Sequence, residues 1–140
     1  VKIFKNNHGH IENSHGFKVI YKNKSIVYSG DTTYSKEVVK NAKNCDILIH
    51  EVIATSKKMR DNNKKLRSVI STHTTISQLS KILNESNPKL TILNHALLFG
   101  VSEKFVLNEI KESYDGKVIF SKDMMSVDLG DEINVFNIGN

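Results

Sequence analysis

Side chains that can bind a metal ion or transfer a proton follow several apolar stretches of this sequence. Asp31 comes directly after IVYSG, Glu51 after ILIH and His95 after LTILN. His8 follows the short opening run VKIF, and His73 precedes a helical pattern. Because the carboxyl ends of neighbouring strands form the ligand crevice of an open α/β sheet, we expect these side chains to converge. Imidazole and carboxylate groups suit Zn²⁺ or a similar divalent ion, and the two oxygens of Asp31 can bridge two ions.

Each of these residues also has a purely structural interpretation. Asp31 can cap the turn or helix that begins at Thr32-Thr33, and His73 can cap the helix that follows it. His95 can be a hydrogen-bonded core histidine at the end of a strand. The sequence has no HxxxH or CxxC motif, so spacing alone does not decide for a metal site. His8, His10 and His15 lie within eight residues of sequence. Most of these three histidines are expected to be solvent-exposed.

The apolar runs predict an α/β protein with a layered sheet. A hairpin pairs Phe17–Tyr21 with Ser25–Tyr28 across a short polar turn, and a short strand, Val1–Phe4, precedes it. Buried strands are predicted at 46–51, 90–93 and 117–120. One or two edge strands are expected in the tail from Val127 to Phe136.

Helical spacing of apolar residues predicts three helices between these strands. The first covers 34–43, with Thr33 or Ser35 as its N-cap. The second follows Thr74 or Thr75 and ends at Asn87-Pro88, and the third follows Ser102. The apolar face of the third helix is predicted to comprise Phe105, Val106, Leu107 and Ile110. The polar stretch from about 55 to 70 is predicted to be a flap or an irregular insertion.

Composition limits the possible classes of protein. The chain has 140 residues, a net charge of +5 and a sequence pI near 9.3, with basic clusters at 57–60 and 64–67. Such a surface suits a polyanionic substrate or is a solvated loop.

The single cysteine, Cys45, is expected to be buried and inert, and it favours a reducing compartment such as the cytoplasm. No apolar run reaches the roughly 20 residues that span a membrane, and no signal peptide is visible. Because the sequence begins with Val1, we expect a processed or excised segment.

Four strings in order resemble a known family: IVYSGDT, AKNCDILIHE, STHTTISQLSKI and KLTILNHALLF. Together they resemble the C-terminal half of a metallo-β-lactamase-fold hydrolase. The similarity is to the branch that holds ribonuclease Z, arylsulfatase-like and cyclic-nucleotide phosphodiesterase-like members. The resemblance implies that residues 1–140 form one αβ half of an αβ/βα sandwich.

The resemblance implies a role for each matching residue. Asp31 would bridge two metals, His95 would bind the second metal, and His8 would bind the first, with His10 as the alternative. His73 would donate a proton to the leaving oxygen or stabilise the developing charge. Glu51 is the expected positioning partner of His73, and His50 is expected to be structural.

The sequence also departs from the family pattern. The principal metal motif, HxHxDH, is absent from these residues. We therefore expect an N-terminal half in cis or in another chain, and little activity from this chain alone. A non-catalytic remnant or interaction module of the same fold is the alternative, and a basic nucleic-acid-binding domain is a third. Only 22 residues separate His8 from Asp31, which leaves no room for the long tRNA-gripping arm usual in ribonuclease Z.

The expected function is therefore metal-dependent hydrolysis of a phosphodiester or related ester by an activated water. RNA and nucleotides are both open as substrates. The expected cofactor is two Zn²⁺ ions, with Mn²⁺ or Fe as alternatives. A homodimer is also expected, without contact to a membrane.

Overall fold

A computed structural model describes residues 1–137 of the chain. Its main sheet has six strands in the order β1-β2-β3-β4-β5-β6, and a separate two-stranded sheet pairs β7 with β8. The elements in chain order are β1 (Lys2–Lys5), β2 (His15–Tyr21), β3 (Lys24–Tyr28), α1 (Lys36–Ala42), β4 (Ile47–Thr55), α2 (Lys57–Asn62), α3 (Lys64–Ile70), α4 (Ile76–Ser86), β5 (Leu90–Phe99), α5 (Glu103–Lys111), β6 (Val118–Phe120), β7 (Met125–Leu129) and β8 (Ile133–Asn137).

The hairpin predicted from the sequence is present. β2 and β3 pair antiparallel, with Phe17 opposite Tyr28. Lys22 and Asn23 have positive φ angles of 46° and 62°, as a two-residue type I′ turn requires. β1 pairs antiparallel with the other side of β2. Three antiparallel strands therefore lead into the parallel part of the sheet.

Strands β3 to β6 pair in parallel, so their carboxyl ends lie at one edge of the sheet. Two of these strands are longer than predicted. β4 continues to Thr55 instead of ending at Glu51, and β5 continues to Phe99 instead of ending at Leu93. The polar residues inside them do not end the pairing, because a β-bulge absorbs the irregularity.

The bulge places His95 within β5. Glu51 is opposite Asn94 and Val52 is opposite Ala96, so His95 is the extra residue. Its φ angle is 41°, which is uncommon for a residue other than glycine. His95 therefore projects from an irregularity inside a long strand, and the prediction that it follows the end of the strand is wrong.

The three predicted helices are present, and each begins after a hydroxyl N-cap. The side chain of Ser35 accepts the N–H of the third residue of α1, and Ser102 does the same for α5. Thr75 caps α4 and forms a capping box with Gln78. Asn87 ends α4 in the left-handed conformation, with a φ angle of 51°.

The stretch between β4 and α4, predicted to be a flap or an irregular insertion, is not irregular. This stretch forms α2 and α3, and each helix has its own polar cap. The side chain of Ser56 accepts an N–H of α2, and Asn63 Oδ1 accepts the N–H of Leu66 at 3.1 Å. Leu66 is the residue of this pair of helices that is buried, so local capping rather than an apolar stripe defines them.

Helices α1, α4 and α5 cover one face of the main sheet. Their buried side chains, such as Leu79 of α4, pack on those of β1, β3, β4 and β5, including Phe4, Val27, Leu48 and Leu93. Val106 and Ile110 of α5 join this core as predicted, but Phe105 is 42% exposed. Cys45 is buried in the same cluster, and burial raises the pKa of its thiol to about 12.

The opposite face of the sheet is covered in part by β7 and β8. These strands do not extend the sheet edge as predicted; they pack over apolar side chains of β3 to β6, including Ile26, Ile47 and Ile92. Towards β1 and β2 the same face stays open, and its exposed apolar side chains are Ile3, Phe17, Val19 and Tyr21. In the part of the chain that the structure describes, no helix is long and apolar enough to cross a membrane.

Candidate metal centre

Three side chains from separate segments converge at the carboxyl edge of the sheet. Asp31 follows β3, His73 lies between α3 and α4, and His95 is the bulge residue of β5. Each offers one possible ligand atom, and these atoms lie within 4.8 Å of one another. His95 Nε2 is 3.5 Å from Asp31 Oδ2, and the rings of His73 and His95 are 5.7 Å apart between centroids.

The turn after β3 fixes the position of Asp31. Gly30 has a φ angle of 63°, and a Cβ atom there would lie 2.5 Å from the carbonyl oxygen of His15. Only glycine fits this turn without a shift of the backbone. Asp31 does not cap α1, because Ser35 performs that role. The carboxylate of Asp31 therefore remains available to the cluster.

The loop after β1 is fastened to the loop that carries Asp31. Asn7 N–H donates to Thr32 Oγ1 at 3.1 Å, and Thr33 N–H donates to the carbonyl of Asn7 at 2.6 Å. Thr32 is fully buried. These bonds hold His8, the next residue, beside the turn of Asp31.

Glu51 connects two parts of the site through a single oxygen atom. Its Oε1 accepts the N–H of Thr32 at 3.1 Å, the N–H of Thr74 at 3.0 Å and Nδ1 of His73 at 3.1 Å. Glu51 is 1% exposed and His73 is 7% exposed. The structure thus brings Glu51 and His73 together, and it shows that Thr75, not His73, caps α4.

Burial shifts the pKa of both members of this pair. It raises the pKa of Glu51 to about 8, although the N–H groups of Thr32 and Thr74 oppose that rise. Burial also lowers the pKa of His73, and the nearby His8 adds to the effect. A neutral His73 that donates its Nδ1–H to Glu51 keeps the lone pair of Nε2 available to the cluster.

His8 lies next to the three converging side chains. Its Nδ1 is 2.8 Å from the carbonyl oxygen of Thr72, so this nitrogen carries the hydrogen and Nε2 is free to bind a metal. The ring of His8 is 4.9 Å from that of His73 between centroids. His10 and His15 are exposed. Of the first three histidines, His8 is the one in contact with the cluster.

Sequence reasoning did not identify the threonines that support the site. Thr74 Oγ1 donates to the carbonyl of Thr32, which ties the His73 segment to the Asp31 turn. A threonine directly follows both Asp31 and His73, and this pattern was the available signal. His50 is fully buried, and its Nδ1 lies 2.7 Å from the carbonyl oxygen of Glu51.

The donor set fits a divalent metal ion. Two imidazoles and one carboxylate are ligands that Zn²⁺ and Fe accept. The bond from His73 to Glu51 resembles the carboxylate–histidine pairs that orient metal-site histidines. Structural and catalytic zinc sites have three or four protein ligands. Asp31, His73 and His95, together with the adjacent His8, can supply that number of ligands.

The sequence is similar to known proteins over part of their length. No family model matches the sequence. Ribonuclease Z of Archaeoglobus fulgidus is 28% identical over 109 residues, which are 77% of this chain and 33% of that protein. Ribonuclease Z of Picrophilus torridus is 29% identical over 115 residues, 82% of this chain and 35% of that protein. The chain thus spans about a third of the length of these relatives.

Solved structures of related shape include the metallo-β-lactamase-fold protein YhfI of Bacillus subtilis. It superposes with a TM-score of 0.67 at 20% identity, over 86% of this chain and 45% of that one. The short form of human tRNase Z superposes with a TM-score of 0.51 at 22% identity, over 79% of this chain and 36% of that one.

The chain therefore has the metallo-β-lactamase fold, as predicted from the four sequence strings. Its sequence relatives are ribonuclease Z proteins, and it corresponds to a part of them. The assignment of residues 1–140 to the C-terminal half of such a domain stays a prediction.

Proposed function

We propose that this chain is part of a metal-dependent phosphodiester hydrolase of the ribonuclease Z kind. The observation that carries the proposal is the convergence of Asp31, His73 and His95 within 4.8 Å at one sheet edge. The similarity to proteins named ribonuclease Z supports a phosphodiester as the bond that is cleaved. The compact spacing between His8 and Asp31 argues against tRNA 3′ processing, so that nucleotide diesters and other RNA stay open as substrates.

In this proposal Asp31, His95 and His8 hold the metal. The two oxygens of Asp31 suit a bridging position between two ions, and Nε2 of His8 is free because Nδ1 faces the carbonyl of Thr72. We favour Zn²⁺, with Mn²⁺ or Fe as alternatives. When bound, the metal supplies a water of lowered pKa and positive charge beside the phosphoryl oxygens.

His73 is the group proposed to act on the leaving oxygen. Its Nδ1–H is held by Glu51, so Nε2 faces the cluster in a fixed orientation. The phosphate anion of a substrate favours the protonated imidazole. A proton on Nε2 then passes to the leaving oxygen as the P–O bond breaks, and Glu51 keeps the ring aligned during the transfer.

A second αβ half would complete the site. Ile3, Phe17 and Tyr21 are exposed on the sheet face opposite the helices, where a second sheet would bury them. The length of the relatives supports such a half, either in cis or in another chain. A homodimer and a cytoplasmic location also belong to this proposal.

The proposal is tested by metal-dependent hydrolysis of bis(p-nitrophenyl) phosphate by a protein that contains both this chain and the proposed N-terminal half. We expect activity with Zn²⁺ or Mn²⁺, its loss in a chelator, and a decrease of at least about 100-fold for Asp31→Asn. Asp115→Asn removes an exposed carboxylate in the turn before β6 and serves as the matched control. Activity that survives both the chelator and Asp31→Asn would contradict the proposal, and an inactive metal-loaded protein would favour the non-catalytic alternative.

A further inference from the structure

A cleft on the helix face of the sheet is not used by the candidate metal centre. It lies between α4, α5 and the end of β4, and Arg60 of α2 and Ile70 of α3 also line it. Its volume of about 680 Å³ is within the range of ligand-binding pockets. Ile3, Phe17 and Tyr21, which a second αβ half would bury, are exposed on the opposite face of the sheet. The cleft therefore stays accessible when such a half packs on that face.

One end of the cleft favours an anion. α2 begins directly after β4, and α4 begins beside β4, since Ile53 N–H donates to the carbonyl of Thr74 at 2.8 Å. Arg60 of α2 and Ser77 in the first turn of α4 therefore line the same end. Arg60 is exposed and contacts Asp61 through Nε at 3.5 Å, which leaves its terminal N–H groups for a carboxylate. The positive end of the α4 dipole adds to this preference.

The other end of the cleft favours a cation. Glu109 and Glu112 of α5 line the cleft and are exposed. Asn84 Nδ2 donates to the carbonyl of Ser113 at 2.9 Å, so these acidic residues lie beside the last turns of α4. In the part of the chain that the structure describes, no ion pair is found for either carboxylate. The cleft therefore has two ends of opposite charge.

Between these ends lies a buried hydroxyl group. Ser80 lines the cleft and is 6% exposed. Within residues 1–137, its carbonyl accepts Asn84 Nδ2 at 2.8 Å, but no hydrogen-bond partner is found for its Oγ. Buried polar side chains normally have a partner, so a polar ligand atom in the cleft would complete the hydrogen bonding of Ser80.

The floor and the length of the cleft limit the ligand further. Ile53 is 2% exposed, and Ile70 and Ile76 are half-buried, so the middle of the cleft is apolar. Ser77 and Asn84 are seven residues apart on α4, which is about 10 Å along the helix axis. An extended peptide spans about 3.3–3.6 Å per residue, so roughly three residues cover this distance.

We propose that this cleft binds a short peptide of about three residues with free termini. The C-terminal carboxylate lies at Arg60 and the start of α4, and the N-terminal ammonium lies at Glu109 and Glu112. The central side chain of the peptide covers the apolar floor, and its backbone hydrogen-bonds Ser80 Oγ. A phosphate polymer fits less well, because its repeated negative charge would meet the two glutamates. The inference goes beyond the proposed hydrolase function and does not depend on it.

The test is calorimetric titration of the tripeptide Ala-Leu-Ala into a protein that contains this chain and the proposed N-terminal half. Four forms of the peptide are compared: free, N-acetylated, C-amidated and blocked at both termini. A chelator is present, so that the carboxylate cannot bind a metal ion at the sheet edge. The variants are Glu109→Gln/Glu112→Gln and Ser80→Ala. The control, Glu12→Gln/Glu132→Gln, removes the same charge from exposed residues that do not line the cleft.

We expect the free peptide to bind, and each blocked terminus to weaken binding at least about threefold. Glu109→Gln/Glu112→Gln should weaken binding of the free peptide by a similar factor and leave binding of the N-acetylated peptide unchanged. Ser80→Ala should weaken binding of both about fivefold, and the control should bind within about twofold of the unmodified protein. Absence of binding at about 1 mM peptide overturns the inference, as do equal binding of the four forms and equal effects of the glutamate variant on the free and N-acetylated peptides. No titration measures hydrolysis, so these results are independent of the proposed function.

Discussion

Nε2 of His95 lies 3.5 Å from Oδ2 of Asp31, although β4 separates the strands that carry these residues. The β-bulge in β5 allows this short distance between the two side chains, because His95 is the unpaired residue between Asn94 and Ala96. Its φ angle of 41° costs about 1 kcal/mol in a residue with a Cβ atom. The strained residue thus carries one of the three side chains that converge at the candidate metal centre.

This strain predicts an inverted order of stability at position 95. Without metal, we expect His95→Gly to be more stable than His95→Ala by about 1 kcal/mol, because glycine adopts a positive φ angle without strain. Urea denaturation in a chelator measures the difference. Both variants should lose metal affinity.

The neighbouring Ala96 provides the control for this prediction. In an ordinary strand, glycine is less stable than alanine by about 0.5–1 kcal/mol, so Ala96→Gly should destabilise the protein by that amount. If His95→Gly were also less stable than His95→Ala, the left-handed conformation at the bulge would be wrong.

The roles of His73 and His8 are separated by metal content and rate. We expect His73→Asn to retain metal and to lose about 10²–10⁴-fold in kcat, as the removal of a proton donor does. His8→Asn should lower metal affinity at least about tenfold. Metal analysis after dialysis and steady-state kinetics measure both effects, with the exposed His10→Asn as the control. Equal metal loss in His73→Asn and His8→Asn would make His73 a ligand.

Much of the fold could be predicted from the sequence, because the relevant signals are local. The hairpin, three of the helices and the strand starts follow from apolar spacing and from caps such as Ser102 and Asn87. The bulge at His95 could not be predicted in this way, since it depends on pairing with β4. The α2–α3 pair was missed because only Leu66 is buried there, so no periodic apolar stripe marked it.

The sequence predicted the candidate site as a set of polar residues near strand ends. The structure brings these residues together: Asp31, Glu51, His73, His95 and His8. Their hydrogen bonds could not be predicted. The three donors to Glu51 Oε1 are distant from Glu51 in the sequence. Thr32 lies 19 residues before it, and His73 and Thr74 lie 22 and 23 residues after it. Such contacts depend on tertiary packing, which a spacing pattern does not contain.

The convergence of three donors on Glu51 predicts different consequences for two substitutions. Glu51→Ala leaves buried N–H groups without an acceptor and should cost about 3 kcal/mol or more. Glu51→Gln keeps an acceptor oxygen, so its cost should be about 1 kcal/mol. Both variants should lose about 10–100-fold in kcat, because the carboxyl group that orients His73 is removed.

Urea denaturation and kcat for a phosphodiester measure the effects at Glu51. Glu12→Gln, at an exposed loop residue, is the control and should match the unmodified protein in both assays. Full activity in Glu51→Gln would show that only the acceptor oxygen matters, and equal stability of the Gln and Ala variants would contradict the three-donor arrangement.

The buried His50 predicts a pH dependence of stability. Burial lowers its pKa from 6.5 to about 4, so between these values the unfolded chain binds a proton that the folded chain does not. The contribution of His50 to stability should therefore fall by about 3 kcal/mol as the pH decreases from about 6.5 to about 4. Glu51, whose pKa is raised to about 8, acts in the opposite direction, because its contribution to stability falls as the pH rises from its unfolded pKa towards 8.

Comparison with His50→Gln isolates the effect of protonating His50, because this variant keeps Glu51 and cannot titrate at position 50. The difference in unfolding free energy between the two proteins should change by about 3 kcal/mol over this range, and a constant difference would show that His50 is protonated in the folded protein.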